Sequence, residues 1–467
     1  MQDIIQRGDT VDKELINKVD EILRPKQSFD IIRREYRTES GMKAVYWCID
    51  GLVDSSVMER ILEFIHSSAD LSDLPSTAPY IEIGRSPDPY ESAVKVLSGA
   101  VAVCAEKADE ILLIYARNYP SRSIEEPDNE KSLRGPRDGF CEQLVRNVSL
   151  IRRRIKDPAL TVELVSLGSE TKTDAAIVYL NGKANAALLD SVRKKMQSYP
   201  ASTLSFGEQT LAEYLVGTRW YNPFPKVRYT ERPDSASAMV VEGSVIILCD
   251  NSPAAIILPT SVFDFLQESN DFYLPPITAT YLRITRLIMA LLTVFFIPAW
   301  YLVIHTHGVL PDWLHFVEVT KEGSIPVYWQ IILVEFIIDG LKIASLNTPN
   351  SLGNSLSVVM GLILGDLAVE IGWFIPEVIL YMAFIAIANF AQPSYELGYA
   401  LKYMRILLLT LTAVFRLWGF IGGILLIGVF IVTNKTVDGS RSYLYPLIPW
   451  NTRAMKRFFV RSRLNKK

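Results

Sequence analysis

The sequence predicts an α/β soluble N-terminal region made of two related subdomains, followed by an all-α polytopic membrane domain. Three observations carry this. Charges are spread throughout residues 1–280, whereas 281–433 is dominated by Leu, Ile, Val, Phe, Ala and Gly, in apolar runs longer than a soluble core helix carries. Within the charged region a strand–turn–helix pattern occurs twice. The final stretch, 434–467, is polar and then basic. A chain of 467 residues also exceeds what one hydrophobic core usually serves.

The element order follows from these shifts. Residues 1–27 form an N-terminal helical lead, 28–122 a first α/β subdomain, 123–159 a basic linker segment and helix, and 160–275 a second α/β subdomain. Residues 276–433 form the transmembrane domain and 434–467 a basic tail. The opening "MQDIIQRGDTVDKELINKVDEIL" is charged throughout and lacks the apolar stretch of a signal peptide, so the N-terminal region is expected in the cytoplasm. Cys48, Cys104 and Cys249 lie in apolar, strand-like runs and Cys141 in the basic segment. Their spacing fits neither zinc nor a disulfide framework, and they are read as reduced, mostly buried small hydrophobes.

The repeat rests on two pairs of segments. "KAVYWCIDGLVDSSVMERILEFI" (43–65) and "DAAIVYLNGKANAALLDSVRKKM" (174–196) each give an apolar run, an Asp-Gly or Asn-Gly turn and a helical pattern. Gly51 matches Gly182, Asp50 matches Asn181, Ala44 matches Ala175 and Met58 matches Leu189. The second pair, 86–117 and 232–260, is aligned on Pro87-Asp88 and Pro233-Asp234. Each then gives a Gly and two β-rich runs about a polar turn, a hairpin signal.

Between the repeats lies a knot of Arg134, Arg137, Arg146, Arg152, Arg153, Arg154 and Lys156, in a chain whose net charge is −3. It holds no phosphate-loop glycine motif and no interleaved aromatics of the kind that bind single strands; no nucleic-acid partner is expected. Phe140, Leu144, Val148, Ile151 and Ile155 recur at helical spacing, so a solvated charged helix is one reading. Gly135 and Pro136 instead present Arg134 and Arg137 on a shaped loop, suited to forked pairing with carboxylates. The favoured reading is an intersubunit or intersubdomain clamp built from Arg134, Arg137, Arg152, Arg153 and Arg154.

"EEPDNEKSLRGPRDGFCEQLVRNVSLIRRRIKDPAL", "YNPFPKVRYTERPD" and "CDNSPAAIILP" together resemble the signature of the A-subunit family of bacterial spore germination receptors, with Asp138 where many members carry Glu. The resemblance covers nearly the whole chain. "PEVILYMAFIAIANFAQPSYELGYA" and "RSYLYPLIPWN" are similar to its stage V sporulation branch. The resemblance implies a membrane complex of the endospore inner membrane that acts during germination and conducts ions. It also implies a homo-oligomeric ring, a pentamer, with other membrane subunits of the germination complex as partners.

The membrane block carries its own signals. Residues 287–304 form a first crossing flanked by Arg283 and Arg286, the cytoplasmic side by the charge bias of loops. The second crossing, 326–346, contains Glu335, Asp339 and Lys342; the two acids are four apart and share a helical face. Intramembrane charges are costly unless they face protein or water. In the third segment, 355–372, Ser355, Val359, Leu362, Asp366 and Glu370 share one stripe. Around a ring, such a stripe gives an acidic mouth and an apolar constriction; close helix packing through small residues is the alternative. Glu377 starts the fourth segment. Arg416 and Gly419, Gly422 and Gly423 interrupt a fifth run, 403–433, about 45 Å long if helical throughout at ~1.5 Å per residue. The tail, with seven basic residues after Trp450 and no acid after Asp438, is expected on the cytoplasmic side, where it suits anionic lipid heads. An even number of crossings then requires either that the fifth run folds into two passes or that a short segment only dips in.

Three functions follow: an oligomeric ion-conducting subunit, a secondary transporter, for which no inverted repeat is seen, and a scaffold whose charges hold helices together. No nucleophile elbow, metal motif or cofactor fingerprint is present, so neither an enzyme nor a cofactor is expected.

Overall fold

The computed structural model describes residues 14–39, 41–67, 82–105, 108–119, 135–205, 207–217, 220–306, 317–319, 323–347, 368–434, 436–437 and 443–461. The chain divides into two compact units. The first holds 1–218, 227–260 and 437–440; the second holds 219–226, 261–436 and 441–467.

The first unit contains two five-stranded antiparallel sheets of one topology. Sheet one uses β1 (Ile31–Arg37), β2 (Lys43–Ile49), β3 (Ile83–Ser86), β4 (Val101–Ala105) and β5 (Ile111–Ile114), ordered β1-β2-β4-β5-β3. Its helices are α1 (residues 14–23), α2 (Ser55–Ser67) and α3 (Pro89–Val96). The second half opens with α4 (Leu144–Arg154) and continues through β6 (Leu160–Leu167), β7 (Thr173–Leu180), α5 (Ala186–Gln197), α6 (Gly207–Val216), β8 (Arg228–Thr230), α7 (Pro233–Val241), β9 (Val245–Cys249) and β10 (Ala255–Leu258). Its strand order, β6-β7-β9-β10-β8, repeats the first.

Corresponding elements keep a constant offset. Ser55 and Ala186, which begin α2 and α5, lie 131 residues apart, as do Gly51 (φ +75°) and Gly182 (φ +83°) in the preceding turns. Both glycines take the left-handed conformation that only glycine enters without cost. Pro89 and Pro233 lie 144 apart, as do Gly99 and Gly243; the offset steps up across the stretch that holds α6. The correct partner of Pro233 is therefore Pro89, the first residue of α3, and not Pro87 as the Pro-Asp pairing had it. A Pro at the first helical position carries no N–H that needs an acceptor and already holds helical φ.

Each sheet is buried on both faces. In sheet one, Val45, Trp47 and Ile49 pack under α1 and α3, while Ala44, Cys48, Val101 and Val103 pack under α2. In sheet two, Ala176, Val178 and Leu180 pack under α4 and α7, while Ala175, Ile177 and Tyr179 pack under α5 and α6. The segment set apart as a basic linker thus divides: its helix, α4, is the opening helix of the second repeat, as α1 is of the first.

The second unit is helical: α8 (Pro276–Ile304), α9 (Val327–Asn347), a turn at Ala368–Glu370, α10 (Pro376–Phe390), α11 (Tyr395–Val432) and α12 (Thr452–Phe459). Among the described residues, α8 and α11 are long and apolar enough to cross a membrane, and α10 is a shorter apolar helix. α11 is not straight. Arg416 has φ +55° and ψ −132°, and beyond it the chain turns back. A Cβ on Gly423 would lie 2.5 Å from Leu408 Cδ1, and one on Gly419 would overlap the Leu411 carbonyl. In a straight helix residues eight apart are separated by about 12 Å. α11 is therefore two antiparallel arms, 395–415 and 417–432.

Candidate functional site

Two clusters of charge stand out, one in each unit. In the first, Arg152 and Asp30 join the two repeats. Arg152 Nε donates to Asp30 Oδ2 at 2.8 Å and Nη2 donates to Oδ1 at 3.0 Å, while Nη1 donates to the Leu160 carbonyl at 3.1 Å. The side chains are 0% and 1% exposed. Phe29 N–H donates to the Val162 carbonyl, Val162 N–H to Ser28 Oγ, and Ser149 Oγ to the Asp50 carbonyl. Gly51 has no room for a Cβ beside Ser149 Oγ.

The neighbouring arginines act differently. Arg154 Nη2 grips both carboxylate oxygens of Asp138 at 2.7 and 2.6 Å. Arg153 lies over the Tyr119 ring at 4.9 Å. Arg137 is exposed, and Arg134 lies outside the described residues.

The second cluster lies among the apolar helices. Glu335 and Asp339 on α9 face Lys402 and Arg405 on α11. Arg405 Nε donates to Glu335 Oε1 at 2.7 Å and Nη1 to the Thr293 carbonyl of α8 at 2.9 Å. Lys402 pairs with Glu335 Oε2 at 3.3 Å and also with Asp339 Oδ2. Glu335, Lys402 and Arg405 are 4%, 4% and 3% exposed, whereas the Asp339 side chain is 34% exposed, so one buried carboxylate and one at the edge of the cluster neutralise two buried cations. Such a group stands only because every member has partners. Lys342 points its ammonium at three rings, 3.9 Å from the centroid of Tyr395, 4.5 Å from Tyr399 and 5.3 Å from Phe390, a favourable cation–π arrangement. The cavity lined by these groups and Asn389 holds about 10 Å³, room for roughly one water.

Sequence reasoning had named Glu335, Asp339 and Lys342 but missed Lys402 and Arg405. The signal was present: two cations three apart in "YALKYMRILLL" complement two acids four apart. Arg416 sits at the bend of α11 and donates to the His305 carbonyl at 3.1 Å. Glu377 occupies the first turn of α10, where exposed peptide N–H groups favour an acid. Of the proposed pore stripe, Glu370 is exposed at the end of its helical turn; Ser355, Val359, Leu362 and Asp366 lie outside the described residues.

A family model described as Bacillus/Clostridium GerA spore germination protein matches residues 17–467. The chain is 40% identical over 372 residues to stage V sporulation protein AF of Bacillus subtilis (strain 168), covering 80% of this chain and 75% of that protein. It is 26% identical over 444 residues to the protein of the same organism named Uncharacterized membrane protein YfkQ, covering 93% and 86% of the two chains. The crystal structure of the N-terminal domain of the A subunit of the Bacillus megaterium spore germinant receptor GerK3 matches at 21% identity and a TM-score of 0.39, covering 52% of this chain and 92% of that one. This chain belongs to the Bacillus/Clostridium GerA spore germination protein family.

Proposed function

We propose that this chain is a multi-pass membrane subunit of a spore germination complex, and that several copies assemble into an ion-conducting ring in the inner membrane of the endospore. One observation carries the membrane reading. The helical unit turns apolar side chains outward and charges inward. Ile277, Tyr281, Ile284, Ile288 and Leu291 make an exposed stripe along α8, and Val414, Trp418, Leu425 and Val429 are exposed on α11. Surfaces of this kind are unfavourable in water and favourable in lipid. The soluble unit and the basic tail then face the cytoplasm, which is the spore core side.

In this reading the ion path lies between copies. It is lined by the stripe Ser355, Val359, Leu362, Asp366 and Glu370, with Val359 and Leu362 as the apolar constriction. Five copies would form the ring, other membrane subunits of the germination complex would be its partners, and the role is not enzymatic. The mutual neutralisation of Glu335, Asp339, Lys402 and Arg405 favours a second reading, a scaffold whose charges hold helices together. Cysteines placed singly at 359, 362, 366 and 363 separate the two. An ion path predicts faster labelling by aqueous thiol reagents at the first three than at 363. Equal labelling at all four positions would leave the scaffold.

A further inference from the structure

The N-terminal end of α8 is wrapped by positive charge that its own acids do not balance. Asp271, 1% exposed, accepts from Arg283 Nε at 3.2 Å and from Arg286 Nη1 at 3.1 Å. Arg286 Nη2 donates to Glu268 at 2.8 Å. Arg461, just beyond α12, donates its backbone N–H to Thr280 Oγ1 at 3.2 Å and its Nη2 to the Phe272 carbonyl. Arg283 lies over the ring of that same Phe272 at 5.3 Å and sends Nη1 to the Arg457 carbonyl at 2.9 Å. Among the described residues, three guanidinium groups thus meet two carboxylates, leaving one positive charge over. Two donors are left as well: Arg283 Nη2 and Arg461 Nη1 are buried atoms with no acceptor among the described residues. Arg283 as a whole is 8% exposed.

Buried guanidinium N–H groups without acceptors are rare, because the desolvation they suffer is uncompensated. We propose that Arg283 and Arg461 form a phosphate-binding site at the start of α8. A phosphate supplies several acceptor oxygens and negative charge in one group, which suits two guanidinium donors better than a single lone pair does. The surroundings suit a phosphate carried by lipid. Phe272, Ile277 and Tyr281 are 53%, 82% and 67% exposed beside it, and Arg453, Lys456 and Arg457 are exposed on α12. Basic pockets at the cytoplasmic ends of membrane helices take headgroups in this manner. The site is independent of whether the assembled protein conducts ions.

The test uses the full chain, purified and delipidated in a non-ionic detergent. Retention of dioleoyl phosphatidylglycerol is followed by native mass spectrometry against dioleoylglycerol, which has the same chains and no phosphate. A separate arm follows thermal stability in inorganic phosphate against sodium chloride of equal ionic strength. Arg283 also pairs with buried Asp271, so the primary variant is Arg461→Gln. The site predicts one retained phosphatidylglycerol and no dioleoylglycerol. Arg461→Gln should weaken retention roughly tenfold or more, the ratio expected from losing one charged hydrogen bond. Neutralising Arg453, Lys456 and Arg457 together should leave the single bound lipid in place. Stabilisation by inorganic phosphate with no lipid retained, lost in Arg461→Gln, also supports the site and makes free phosphate its source. The proposal is overturned if neither probe distinguishes wild type from Arg461→Gln. It is equally overturned if only the triple neutralisation abolishes retention, because binding then belongs to the diffuse basic surface of α12.

Discussion

Arg152 and Asp30 lie 122 positions apart in sequence, yet they meet through two hydrogen bonds of 2.8 and 3.0 Å with neither side chain reaching solvent. The pair ties the opening helix of the second repeat to the turn just before β1 of the first. Removing one partner strands a buried charge, so Asp30→Asn or Arg152→Gln should lower stability by about 3–5 kcal/mol. Thermal unfolding of the full chain checks this. A double replacement by apolar residues of similar size should recover much of the loss, because it leaves no orphaned charge.

The exposed loop tests a different contact. If Arg134 and Arg137 reach a second subunit, reversing both to Glu should reduce the size of the purified assembly and leave the Arg152–Asp30 pair intact. Unchanged size and melting temperature would make that loop a solvated surface, since an exposed pair contributes less than about 1 kcal/mol.

The two arms of α11 approach closely only where glycines allow it. Gly419→Ala would force a methyl group into the Leu411 backbone, and overpacking of this kind costs about 1–3 kcal/mol. Gly422 and Gly428 have nothing within 4 Å of an added Cβ. Gly422→Ala should therefore be neutral or stabilising by up to ~1 kcal/mol, from helix propensity alone. Melting temperatures of the three proteins in one detergent decide the matter. Equal behaviour of Gly419→Ala and Gly422→Ala would contradict the antiparallel hairpin.

Cysteine reactivity offers a check on the soluble unit. Burial pushes the Cys48 and Cys249 thiols up to about 12, so the reactive thiolate is scarce at neutral pH while the protein is folded. Cys104 is buried as well, whereas Cys141 is partly accessible. Of these four, an aqueous maleimide near pH 7 should label Cys141 first, and the buried three should react only after denaturation. Rapid native labelling of Cys48 or Cys249 would show that the sheets open readily.

The duplication was legible because its constraints are local. Gly51 and Gly182 must hold positive φ, so residue type records geometry there; the Pro-Asp match was misaligned by two residues, and it is the structure that shows Pro89 and Pro233 both beginning helices. The equivalence of α1 and α4 was not legible. "ELINKVDEIL" and "LVRNVSLIRRR" share an apolar period but little else, and the arginines of α4 drew attention as charge when Arg152 serves as an internal tie. In the helical unit, Glu335 and Asp339 were visible as costly acids. Their partners left only an indirect signal, the two cations three apart in "YALKYMRILLL", because pairing across 63 or 70 positions does not show which acids they meet.

Glu335 distinguishes a structural cluster from a hydrated pathway. Glu335→Gln leaves Arg405 and Lys402 without their shared carboxylate, so a dry cluster predicts a loss of about 3–5 kcal/mol in thermal stability. A loss under about 1 kcal/mol, as for exposed pairs, would mean that water already reaches these groups.

The most direct test of ion conduction between copies is flux through the purified full chain reconstituted in vesicles. It compares wild type with Val359→Ala, Leu362→Ala and the control Ile363→Ala. An apolar constriction closed by dewetting predicts a larger resting cation leak in Val359→Ala and Leu362→Ala than in wild type, and no such rise in Ile363→Ala. If all four proteins insert and assemble but leak no more than empty vesicles, the chain does not conduct and the scaffold reading stands in its place.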